Sequence, residues 1–273
     1  MRATVLSSFA LLGVFALAGC TVQATIKTQT KFVSQESAKG AAADYAGEEI
    51  AVTNANGSLT VESDAAATKV SVTMKAVAFA DDDDKASAED LQKQVLETFT
   101  VTESAGKITI NCGQAARGVG SAKTGLSGCQ DLRVRVPAKA IKLTALSKNG
   151  SVNANNLTAA DGAVLDIRSD NGSVDATVTG GAKVFSDNGG VTLSSTPTKG
   201  STISVESDNG DVTLSLPSAF AADVVALSAG KGVKVEGFSD LTEKSTSRGT
   251  KGEGAASITA KASSLGQLVV KSR

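Results

Sequence analysis

Along the second half of the chain, apolar and polar residues alternate in short runs, and the parity of the alternation changes at regular points. Between residues 141 and 216 the pattern apolar-x-apolar-x-Ser-x-Asn-Gly-x-Val-x-apolar comes round four times. Its Asn-Gly pairs are Asn149-Gly150, Asn171-Gly172, Asn188-Gly189 and Asn209-Gly210, spaced by 22, 17 and 21 residues. Four positions before each Asn stand Ala145, Ile167, Val184 and Val205, and three after stand Val152, Val174, Val191 and Val212. Apolar residues at every second position are the signature of half-buried β-strands. A parity change at Asn-Gly predicts a tight bend there, because the two flanks keep one apolar face only if the chain turns. Asn and Gly also accept positive φ at low cost.

Two geometries satisfy this pattern. Each unit forms a β-hairpin with a two-residue type I′ turn, for which Asn-Gly is the strongest short signal; Arg168 then faces Asp175 across the strands. Alternatively each Asn-Gly is a corner of a coiled β-solenoid (β-helix) with roughly 20 residues per coil. Stacking at about 4.8 Å explains why Ser, Asn, Gly and Val recur at fixed offsets. Independent hairpins need no such recurrence.

The chain begins with a short charged head at Met1-Arg2, and residues 4–18 are mostly apolar. That run is too short for a spanning helix, which takes about 20 residues, and it reads as a secretory signal peptide. The stretch Leu17-Ala18-Gly19-Cys20 resembles the lipobox of bacterial lipoproteins, which implies a signal peptide over residues 1–19 and a lipid on Cys20. Thr21 follows where an Asp often retains such proteins in the inner membrane. In a diderm host the resemblance therefore implies an outer-membrane lipoprotein, facing the periplasm or the cell surface. The other cysteines are Cys112 and Cys129. In an exported chain they are expected to pair, closing a Gly, Ala and Ser-rich loop; with no His in the chain a metal site there is disfavoured.

Residues 20–46 read as a tether, with one alternating run over residues 22–32 that adds an edge strand. The repeat domain is assigned to residues 47–273. Residues 50–61 carry the frame early around Asn56-Gly57, with Asn54 in the Ser position. An insert follows: a strand over 69–79, an acidic run over 81–84, and a helix over 88–97 capped from Ser87. Strands then flank a turn at Ala105-Gly106, and residues 132–137 form a strand that leads into the main array. Beyond Pro217 the frame weakens to copies around Ala229-Gly230 and Leu265-Gly266. Weak end copies suit the last coils of a stack, which must cap it.

These features together resemble the bacterial putative-adhesin family of β-strand-repeat proteins, domain of unknown function 4097. The resemblance rests on the early Asn-Gly coil, the strand, acidic run and helix over 69–97, the Val136-Pro137 step, and the Ser-Asp-Asn-Gly turns followed by Leu-Ser-Leu-Pro at 214–217. It implies an all-β solenoid with one short helix near its N-terminal end and a surface protein of unstated role. It brings no catalytic residues.

Composition narrows the function classes. Aromatics are 3% of the chain with no Trp, and the inward positions are Val, Leu, Ile and Ala, which a narrow coil interior accepts. A net charge of −1 offers no basic footprint for nucleic acid. The reading is a non-enzymatic cell-envelope lipoprotein, structural or adhesin-like, anchored to the membrane and meeting an envelope or surface partner, protein or polysaccharide, with no cofactor. A polysaccharide-acting β-helix enzyme is an alternative; without His its acid–base work would fall to carboxylates or Lys. A calcium-dependent binding module is another, because Asp170, Asp187 and Asp208 precede consecutive Asn-Gly pairs. In stacked coils these carboxylates form a column whose repulsion needs relief from fanning, turn N–H groups or a cation. No tight calcium site is expected, since calcium takes six to eight oxygens.

Overall fold

The computed structural model describes residues 29–33, 41–47, 49–81, 85–113, 126–242, 244 and 255–273. The apolar leader with Cys20, residues 82–84 of the acidic run, and residues 114–125 of the Cys-bracketed loop lie outside these. The described strands begin with β1 (Gln29–Val33), β2 (Ala41–Asp44), β3 (Glu49–Asn54), β4 (Ser58–Asp64) and β5 (Lys69–Asp81). Helix α1 (Lys85–Thr98) precedes β6 (Thr100–Ser104), β7 (Lys107–Cys112) and β8 (Leu126–Pro137). The main array is β9 (Ala140–Ser147), β10 (Val152–Ala159), β11 (Val164–Ser169), β12 (Val174–Thr179), β13 (Gly181–Ser186), β14 (Val191–Thr196), β15 (Thr202–Ser207) and β16 (Val212–Leu216). Last come β17 (Ala222–Ser228), β18 (Val233–Glu236), β19 (Ala256–Lys261) and β20 (Leu268–Ser272).

The repeats form a β-solenoid. Each gives one strand to each of two parallel sheets, and the Asn-Gly pair lies at the corner between them. In the first sheet β9, β11, β13 and β15 pair in sequence; in the second β10, β12, β14 and β16 do. Equivalent residues sit directly over one another: Ile167 on Val184 on Val205, and Val174 on Val191 on Val212. The hairpin geometry is excluded. Arg168 stands between Leu146 and Phe185 of the neighbouring coils rather than opposite Asp175. The inner faces carry the alternating Leu, Ile, Val and Ala positions, buried from Ile50 to Val270 as one continuous core. A period-2 apolar face closed against a second such face is sufficient to build it.

At both ends the stacking order departs from chain order. Coil β7/β8 lies outside β3/β4, which pairs onward to β9/β10. At the other end β19/β20 enters between β15/β16 and β17/β18, pairing with both. The expectation that the last copy caps the stack is therefore corrected: the terminal coil is β17/β18, and the final one is interior. Residues 237–255 connect β18 to β19 across this return. Leu241 within it is buried, and Phe220 and Phe238 meet edge to face with ring centroids 5.8 Å apart.

The N-terminal end is closed differently. Strand β5 runs antiparallel to β8 and carries β1 and β2, also antiparallel. The segment read as tether thus contributes two strands; of the edge strand expected at 22–32, residues 29–32 lie in β1 and residues 22–28 lie outside the described residues. Helix α1 packs on β5 and β8 and also meets β7, so it touches both sheets. It starts at Lys85, before the expected cap, and Ser87 falls inside its first turn. Burial of Gln92, Val95 and Phe99 holds it; packing of one face outweighs an N-cap in setting where a short helix forms. The β6/β7 turn has positive φ at Ala105 (51°) and Gly106 (74°), as a type I′ hairpin requires.

The inserted C-terminal coil yields a sharp expectation. Leu268 is fully buried between Val212 and Val233, so Leu268→Ala should cost about 2–5 kcal/mol in urea melts. Val235→Ala, half-buried in the terminal coil, should cost less. Equal losses would mean that β19/β20 is the free end.

Candidate functional site

The most ordered feature outside the core is the row of Asn-Gly corners. Three columns of side chains run up it. In the first, Ser147, Ser169, Ser186 and Ser207 each donate through Oγ to a glycine carbonyl of the coil before: Gly57 (2.9 Å), Gly150 (2.9 Å), Gly172 (2.8 Å) and Gly189 (2.7 Å). Asn54 holds this position in the early coil, where its Nδ2 bonds the carbonyls of Gly57, Ser58 and Cys129 at 3.0–3.1 Å.

The second column is an asparagine ladder. Asn149 Nδ2 donates to Asn56 Oδ1 (2.8 Å), Asn171 to Asn149 (3.1 Å), Asn188 to Asn171 (3.0 Å) and Asn209 to Asn188 (3.1 Å). Each also donates to a backbone carbonyl of the coil below, those of Ala55, Lys148, Asp170 and Asp187. The third column is glycine. A Cβ on Gly150, Gly172, Gly189 or Gly210 would lie 2.2–2.5 Å from backbone atoms of the glycine one coil away. Of the five paired glycines only Gly57 has positive φ, at 111°. The expectation that these glycines serve turn conformation is therefore corrected: four of them are required by close backbone approach.

Two members of the aspartate column, Asp170 and Asp187, share one cation, which comes from the strand that leads into Asp170. Arg168 Nε bonds Asp170 at 2.9 Å, and its terminal NH2 reaches Asp187 at 3.3 Å, while the guanidinium carbon sits 5.0 Å from the Phe185 ring centroid. Partial burial pulls the Arg168 pKa down, but the bonds and charges of Asp170 and Asp187 more than offset this and hold it above the ordinary value. One guanidinium thus sits between two carboxylates of adjacent coils, a source of relief that the sequence reading of the column did not include. Glu206, on the outer parity, pairs in turn with Lys261 of the inserted coil. Lys107–Glu49 and Arg135–Glu62 likewise link neighbouring coils.

In coil β7/β8 a disulfide stands where the others have their corner. Cys112 takes the place of the Ser column, next to Asn54, and bonds Cys129 with Cα atoms 6.2 Å apart, inside the usual range. Both are fully buried. The bridge ties the mouth of the inserted loop to the stack.

The opposite corners are irregular. Only Gly180 joins β12 to β13, whereas residues 160–163 and 197–201 join the coils on either side. This short corner leaves a notch of about 450 Å³. Asp161 and Lys199 lie among its lining, with Thr158, Thr179 and Thr202 and the half-exposed Val164. Such a lining offers hydroxyls and one charge of each sign to a small polar molecule. In the sequence the notch was visible only as the 17-residue spacing.

A family model described as Toastrack DUF4097 matches residues 41–266. The chain belongs to this family. No curated protein sequence matches it. Among solved structures, a putative cell adhesion protein from Clostridium sporogenes shares 16% identity, with 86% of this chain and 100% of that one covered and a TM-score of 0.43. A putative adhesin from Bacteroides fragilis shares 13%, with 86% and 97% covered and a TM-score of 0.38. A putative lipid binding protein from Parabacteroides distasonis shares 9%, with 90% and 96% covered and a TM-score of 0.21. No residue role comes from these likenesses.

Two outcomes test the Toastrack corner. Gly172→Ala should destabilise by about 1–3 kcal/mol through overpacking, because its Cβ would meet Gly150 backbone at 2.5 Å. Gly190→Ala, whose Cβ would come no closer than 3.3 Å to Asp211 O, should be much milder in the same thermal melts. For the bridge, non-reduced peptide maps should show Cys112 joined to Cys129, and the double variant Cys112→Ser/Cys129→Ser should lose roughly 3 kcal/mol. Unchanged stability would show that the bridge only decorates the loop.

Proposed function

We propose that this Toastrack chain is a non-enzymatic cell-envelope protein, an adhesin-like solenoid held at the outer membrane by a lipid on Cys20. One observation carries the reading. Charged groups of its faces pair across neighbouring coils, as in Arg168 with Asp187, Lys261 with Glu206, and Arg135 with Glu62. These pairs belong to a stiff stack, and stiffness suits a surface that presents itself to a partner rather than one that closes around a substrate. The irregular corners, with the notch at Gly180, are the variable side of the rod, where loops on a rigid scaffold carry recognition. The partner is an envelope or surface component, polysaccharide or protein.

Cys20→Ser should move the protein from the membrane pellet to the soluble periplasmic fraction. A pellet that does not change would remove the anchor from this reading. Purified protein incubated with isolated envelope polysaccharide should release no reducing ends. Steady release, abolished by substituting carboxylates on one face, would replace the adhesin-like reading with a polysaccharide-acting enzyme.

A further inference from the structure

The ladder has an end, and the end has a chemical consequence. We propose that Asn209 is the site at which this folded chain first loses ammonia spontaneously, and that the ladder protects the four Asn-Gly pairs below it.

The reaction needs only water. The backbone nitrogen of Gly210 gives its proton to solvent base and attacks Cγ of Asn209. The Cγ–Nδ2 bond breaks, ammonia leaves, and a five-membered succinimide ring closes. Water then opens the ring at either carbonyl, leaving aspartate or isoaspartate; overall, amide and water become acid and ammonia. A following glycine favours the attack, because it has no Cβ to obstruct the approach of its nitrogen. All five corners share that feature, so the local sequence alone ranks them equally.

Structure separates them. To be attacked, a carboxamide must swing off its hydrogen bonds. Asn171 donates to Lys148 O and Asn149 Oδ1 and accepts from Asn188. Asn149 and Asn188 are held in the same three ways. Asn56 accepts from Asn149, and its other side is packed against Gly128, where a Cβ would lie 2.4 Å from the Asn56 Cβ. Asn209 donates to Asp187 O (2.9 Å) and Asn188 Oδ1 (3.1 Å). The next coil, however, is the inserted one, and its corner is Leu265-Gly266. Gly266 stacks on Gly210, its Cβ position 2.2 Å from Gly210 O. Leu265 therefore stands where the next asparagine would, 76% exposed and with no donor to offer. Asn209 is one hydrogen bond short.

The product propagates the damage. A carboxylate at this position cannot donate to Asn188 Oδ1 or Asp187 O, and it adds a charge beside Asp208. Asn188 then becomes the end of the ladder, so ammonia loss proceeds one coil at a time from the C-terminal side.

The test follows peptide maps of the purified full chain held in warm, mildly alkaline buffer, scoring isoaspartate and the amide-to-acid mass change at each Asn-Gly pair. In the folded chain Asn209 should convert on the order of five- to tenfold faster than Asn171 and Asn188, the rate equivalent of one hydrogen bond. In denaturant the five rates should converge. Leu265→Asn should shift the fastest loss to position 265 and slow Asn209 to the interior rate, while Leu265→Ala should leave Asn209 fast. Position 265 is exposed, so both variants should melt with the parent. Equal rates at Asn209, Asn171 and Asn188 in the folded chain would overturn the proposal, as would an Asn209 rate indifferent to Leu265→Asn.

Discussion

The structure depends on one constraint: identical corners must stack at the spacing of β-strands, about 4.8 Å. Three residue types meet it together. Glycine lets one backbone lie against the next, with no room for a Cβ. Serine turns inward and caps the glycine carbonyl of the coil before. Asparagine, which carries both a donor and an acceptor, bonds its own copy above and below. Shifting one coil by a single residue would break all three columns and also turn its apolar face outward. Register is therefore enforced twice, by the core and by the corner. The Asn–Asn bonds are exposed and individually modest, at about 1 kcal/mol or less each; their weight lies in repetition and direction.

A stack of strands has two open edges, and open edges invite pairing with other chains. The Toastrack solenoid treats its two ends differently. At one end a bridged coil, an antiparallel strand and an amphipathic helix cover both sheets. At the other the chain doubles back, so that its last coil lies inside the stack and Phe220, Phe238 and Leu241 gather near the terminal coil. Among the described strands, β17/β18 pairs only with β19/β20, which makes the C-terminal coil a keystone for both.

The two sets of corners divide the labour. The Asn-Gly side is uniform because stacking demands identity there. The other side is free to vary in length, and the single-residue corner at Gly180 opens the notch between two longer loops. Recognition is expected on the side whose sequence is not already committed to stacking.

Much of this was legible before any coordinate. Strand period and parity change determined the strands, their corners and the inner face, and a small count of thiols the pairing of Cys112 with Cys129; the fixed offsets of Ser, Asn, Gly and Val favoured the solenoid over hairpins, and the parallel stacking decided it. The start of α1 was misplaced because packing of the helix on β5 and β8, with Gln92 bonded to Ala76 O, rather than a local capping pattern, sets where it forms. The role of the corner glycines was misread because close approach involves residues about twenty positions away, which no local turn rule contains. The pairing of Arg168 with Asp187 was out of reach for the same reason: the two are neighbours only after stacking, whereas the facing of Arg168 and Asp175 belonged to the hairpin geometry alone. The order of the end coils could not be read at all. Every coil presents the same apolar pattern, so any copy pairs acceptably with any other, and only closure of the whole chain selects which one lies at the end.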